Sequence, residues 1–174
     1  MLALHNLIVR SAQIFTWPDD TVVDVLEVVS AAALEFQELD WAQVERDLNL
    51  AINYRLDIGY QLQQKEQPQS YGAQRPVQHL EHKVVIDNQA SLQFTIIEVY
   101  GSDNRSVLYR LTQTLADFNL TIHRARIATE VEQLIDIFYV KTASGDKLDD
   151  PVKMDKVQAT LLRIIGADAD LTVA

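Results

Sequence analysis

The sequence predicts an α+β fold built from two copies of one small unit, the first copy lacking its beginning. Three observations lead there. First, the chain aligns with itself: Asn6 to Thr16 matches Asn119 to Thr129, an offset of 113 (119 minus 6), with Asn, Leu, Ala, Ile and Thr identical. After a one-residue length change, Val23 to Val28 matches Ile135 to Val140, and the change falls where a turn is expected, as loops tolerate indels best. Second, from residue 94 onward the apolar pattern switches between period two and helical spacing in the order strand, helix, strand, strand, helix. Third, where the second copy has a first strand and a whole helix, the first copy has only Met1 to Leu4, enough for the end of that helix.

The second copy reads as follows. Phe94 to Tyr100 is β-branched and aromatic, a strand; Gly101 to Arg105 is a polar loop. Val107, Leu108, Leu111, Leu115 and Phe118 recur at helical spacing, and Asn119 suits a left-handed helix end. Leu120 to Thr129 and Leu134 to Val140 form a strand pair, and Ser144-Gly145-Asp146 a turn. Asp150 is the cap and Pro151 the first residue of a second helix, with Met154, Val157, Leu161 and Ile165 as its apolar stripe and Gly166 at its close. Leu171 to Val173 supplies a short last strand, completing a ferredoxin-like βαββαβ module, an antiparallel sheet with helices on one face.

The first copy repeats the second half of this pattern. Ile8 to Thr16 and Val22 to Val28 are its strand pair, Asp40 caps a helix with the stripe Trp41, Val44, Leu48 and Ile52, and Lys83 to Asp87 is its last strand. Residues 57–81, with seven glutamines and two prolines, read as a linker or extended loop. The domain division expected is therefore 1–90, a truncated first module with its linker, and 91–174, a complete one. A sheet lacking its first strand exposes an edge, so another chain or the second copy is expected to cover it. In both copies the apolar alternation shifts parity, at Arg10-Ser11 and at His123-Arg124, which predicts a bulge or bend.

Composition bounds the function. Apolar residues are 48% and charged residues 23% of 174, so a packed core can form. No run of 18 apolar residues exists, and Met1 to Asn6 makes a poor signal peptide. The absence of cysteine excludes disulfides and thiolate chemistry and fits a cytoplasmic location. A net charge of −10 disfavours nucleic acid and anionic membranes as partners.

Candidate chemistry is sparse. With five glycines the chain holds neither a phosphate-binding loop nor a dinucleotide fingerprint. None of the four histidines, His5, His79, His82 and His123, precedes an Asp, and His79 with His82 is too small a set for a metal. Ser106 sits at a strand-to-helix junction but lacks the flanking glycines of a nucleophile elbow. No catalytic residue, metal or cofactor is expected. Asp24 and Asp136 occupy matching strand positions and read as solvent-face or edge aspartates paired with a strand arginine. The loop from Ser102 to Ser106 remains: helix-start N–H groups pointing into it would accept a carboxylate.

Phe94 to Val99, Leu108-Tyr109, Ala125 to Thr129 and Asp136 to Val140 resemble the ACT domain, a small-molecule-sensing regulatory module. With Ser11 to Trp17, Val22 to Val25 and Val85 to Ser91, nearly the whole chain is similar to the C-terminal tandem ACT region of the uridylyltransferase/uridylyl-removing enzyme family, which acts on nitrogen regulatory protein PII. The resemblance implies a regulatory region that senses an amino acid, glutamine in type, attached to upstream catalytic domains or assembled as a homo-oligomer such as a dimer. It implies ligand contacts from Asp103, Asn104, Arg105, Ser106 and Val107, with Thr121 and Ile122 on the amine side. The family loop usually reads Asp-Arg-Pro-Gly-Leu-Leu; here Arg105 and Ser106 replace the proline and glycine. If that glycine has positive φ, serine strains the loop and degrades the site. Two readings therefore stand, an amino-acid sensor and an interaction module that has lost its ligand.

Overall fold

The computed structural model describes residues 1–17, 19, 21–30, 39–65, 82–102, 106–130 and 133–166. After a 3-10 helix at Leu2–His5 come β1 (Leu7–Thr16), β2 (Val22–Ser30), α1 (Trp41–Ile52), α2 (Ile58–Lys65), β3 (Lys83–Asp87), β4 (Thr95–Ser102), α3 (Val107–Asp117), β5 (Leu120–Glu130), β6 (Gln133–Thr142) and α4 (Pro151–Gly166). The chain divides into a smaller unit, Met1–Val9 with Val28–Gln78, and a larger unit, Arg10–Glu27 with His79–Ala174.

The larger unit contains the predicted strand–helix–strand–strand–helix module. The six-stranded sheet runs β2-β1-β5-β6-β4-β3. β4 pairs antiparallel with β6 from Thr95↔Val140 to Ser102↔Gln133, and β6 pairs antiparallel with β5. Alternate residues face the helices: Ile97, Val99, Phe138 and Val140 are fully buried, as are Val107, Leu111 and Leu115 of α3 and Val157 and Leu161 of α4. A Cβ on Gly101 would come within 3.1 Å of the Ile165 Cβ, so α4 crosses close over the end of β4.

The local signals act as the residues dictate. Asn119 adopts φ 53° and ends α3, its N–H donating to the Ala116 carbonyl at 2.8 Å; Asn6 does the same at φ 56° before β1. The Asp150 carboxylate accepts from the Val152 N–H at 2.9 Å and caps α4. Gly145, at φ 86°, makes the turn after β6. The ladder of β5 and β6 slips between Ile122 and Arg124, which places the predicted bulge at His123.

Other expectations are corrected. Lys83–Asp87 is a strand, but it pairs with β4 of the second module. It occupies the place beside the first strand where a βαββαβ module puts its last one; Leu171 to Val173 lie outside the described residues. Residues 58–65 of the expected extended loop form α2, with Leu62 buried, because Ile58 and Leu62 are one helical turn apart. α1 has the expected Asp40 cap, accepting from the Gln43 N–H at 2.9 Å, yet its stripe is not core: only Val44 is buried, while Trp41 and Ile52 are 58% and 64% exposed. In the smaller unit Leu4, Leu7, Val44 and Leu62 make up the small core, and His5 Nε2 lies 3.1 Å from Asp47. β1 pairs with β5 of the second copy, whereas β2 stands at the end of the described sheet with Val25 61% exposed.

One polar cluster ties the module together. The Asn88 side chain donates to the Leu148 carbonyl at 2.8 Å and accepts from the buried Thr95 hydroxyl at 2.6 Å. Thr95 Oγ1 accepts in turn from the Leu148 N–H at 2.8 Å, and Lys147 donates to the Asn88 and Ser91 carbonyls at 2.7 and 3.1 Å. Asn88→Ala leaves these buried groups short of partners and is expected to cost about 2–3 kcal/mol in urea unfolding. Leu92→Ser, at a position 97% exposed, stays within about 0.5 kcal/mol.

Candidate functional site

β4 ends at Ser102 and α3 begins at Val107. Asp103, Asn104 and Arg105 lie outside the described residues. Ser106 is the residue before α3, 4% exposed, with φ −109° and ψ −4°; its hydroxyl forms no capping bond, while its carbonyl accepts the Arg110 N–H at 3.0 Å. Val107 is fully buried in the core. The φ of Ser106 is one that any residue adopts, so the expected strain at this serine does not exist.

Thr121 and Ile122 are elsewhere. Ile122 pairs with Val140, which pairs with Thr95, whereas the loop leaves β4 at Ser102, next to Gln133. Seven residues at about 3.3 Å each put these places roughly 23 Å apart along the sheet. Ser106 and Thr121 of one module therefore cannot hold the same amino acid; they can share a ligand only across a contact between two modules.

Asp136 corrects the sequence reading most sharply. It is fully buried on the helix-facing side of β6, in a lateral row with Ala12, Ile127, Val99 and Val84. Its parity with Leu134, Phe138 and Val140 was the available signal, but Ile135, Ile137 and Tyr139 are apolar too, so alternation alone did not choose the face. Asp24, its counterpart, is exposed on β2, and partial burial pushes its carboxyl above the usual carboxylate range. No arginine pairs with Asp24 among the described residues.

Residues 90–165 match the profile of the ACR family N-terminal ACT domain. Over those residues the chain is similar to the ACT domain of the ACR family. Across nearly its whole length the chain is also similar to proteins named bifunctional uridylyltransferase/uridylyl-removing enzyme. That of Gluconobacter oxydans is 31% identical over 92% of this chain and 17% of the relative. That of Azospirillum brasilense is 32% identical over 95% of this chain and 18% of the relative, and that of Rhodospirillum rubrum 29% over 92% and 17%. The chain thus spans less than a fifth of the length of these relatives. No solved structure matches it. No helix among the described residues is long and apolar enough to cross a membrane.

The ACT loop is therefore altered in sequence without backbone strain at Ser106. Ser106→Gly should relieve nothing. It is expected to lower stability by about 0.5–1 kcal/mol through the freedom glycine adds to the unfolded chain, measured as the urea midpoint at constant slope.

Proposed function

We propose that this chain is the regulatory, amino-acid-sensing region of a uridylyltransferase-like protein of nitrogen regulation, that it takes glutamine at the start of α3, and that it performs no catalysis of its own. The observation that carries the reading is the junction of β4 and α3. The first-turn N–H groups of α3, beginning at Val107, have no partner within the helix, and they carry the positive end of its dipole. A carboxylate fits there, with Asp103, Asn104 and Arg105 as the adjoining loop. Thr121 and Ile122 of a second copy of the chain join the ligand. The division into modules at 1–90 and 91–174 belongs to the same reading; the profile match begins at residue 90, although Lys83–Asp87 pairs with β4. Upstream catalytic domains or a second copy are the partners this reading implies, in the cytoplasm.

One observation favours the other reading, an interaction module without ligand. Ser106 is 4% exposed, so a side chain occupies space that a glycine would leave open. Calorimetric titration of the chain with a panel of amino acids separates the two. Two charge-assisted hydrogen bonds contribute about 1.5–3 kcal/mol each, so glutamine is expected to bind with a dissociation constant on the order of 1 mM. Heat with glutamine and none with glutamate or alanine supports the sensor; no heat with any amino acid leaves the interaction module.

A further inference from the structure

On the face of the sheet turned away from α3 and α4, an apolar central strand lies among charged neighbours such as Arg124, which sits over the Tyr139 ring at 5.5 Å. That strand, β6, carries Ile135, Ile137 and Tyr139 there, all half-buried. The lateral row through Ile137 has Arg126 of β5 on one side and Glu98 of β4 on the other. Two strand spacings, roughly 10 Å, separate their backbone positions. Among the described residues neither takes part in an ion pair, and Tyr100 Oη donates to Glu98 Oε2 at 2.8 Å, holding that carboxylate on the face. The row through Ile135 repeats the asymmetry in shape: Ala128 lies on the β5 side and Tyr100 on the β4 side.

Opposite charge, and small against large, are thus arranged about β6 as about a mirror line. We propose that this face is the interface of a homodimer in which two copies stack sheet on sheet about β6. A two-fold axis along β6 lays β5 of each copy over β4 of the other, the self-complementary arrangement that such an axis requires. Arg126 then meets Glu98 of the second copy, twice, Ala128 makes room for Tyr100, and Ile137 packs on Ile137. A chain of net charge −10 otherwise repels its own kind, so these pairs select the contact. The inference uses no residue of the ligand loop and stands whether or not glutamine binds.

Sedimentation velocity on four versions of the full chain tests it: unmodified, Arg126→Glu, Glu98→Arg, and both together. The unmodified chain is expected to dimerise below about 100 µM. Each single reversal sets like charges opposite each other twice and should weaken the dimer about tenfold or more. The double reversal restores it, and so does mixing the two single variants, because their heterodimer pairs both sites correctly. Circular dichroism checks that each variant is folded; should a reversal unfold the chain, neutral Arg126→Gln replaces it and should also weaken the dimer. A monomeric unmodified chain, single reversals without effect, or failure of both the double variant and the mixture to recover association would each overturn the proposal.

Discussion

The pairing of β4 with β6 decides what every other residue of the larger unit can do. Eight consecutive residue pairs run from Thr95↔Val140 to Ser102↔Gln133. A strand sends successive side chains to opposite faces, so this register allots each residue of three strands to the helices or away from them. It puts Ile97, Val99, Phe138 and Val140 under α3 and α4, and Ile137 with its flanking Arg126 and Glu98 on the opposite face. A slip of β4 by one residue would bury Glu98 and expose Ile97 and Val99. The register is also what separates the loop at Ser102 from Thr121 by most of the sheet's length.

Asp136 is the exception within that order. A buried carboxylate is costly unless other interactions compensate it, and hydrophobic groups of similar size often serve stability as well or better. Its place is next to Val99, near the end of β4 that precedes α3. The same parity leaves Asp24 on an exposed strand in the first copy, so one repeat position exists in two environments, fully buried and open.

Much of the fold was legible because local chemistry and tertiary packing agree. Asn119 and Asp150 mark helix ends whatever the surroundings, and the parity shift around His123 is written in the side chains as a bulge must be. What failed was everything that depends on a partner chosen over long range. Lys83–Asp87 announces a strand but not its neighbour, and the stripe of α1 announces burial but not what would bury it. Ile58 to Lys65 became a helix inside a segment whose glutamines suggested a linker, since a single turn of apolar spacing is weak beside that composition. For the site, residue types indicated the junction of β4 and α3, but the backbone angle at Ser106 is not encoded in the identity of the residue, and the distance to Thr121 follows only from the register.

The central claim is that an amino acid is sensed at the start of α3. Amide nuclear magnetic resonance of the isotopically labelled chain during a glutamine titration tests it most directly, because it reads position as well as binding. The account predicts saturable shifts centred on the amides of Ser106, Val107 and Leu108, while Asn88, Thr95 and Leu148, tied in their own polar cluster, stay in place. Saturable shifts that spare the start of α3, or none at all at glutamine well above the millimolar range, would contradict it.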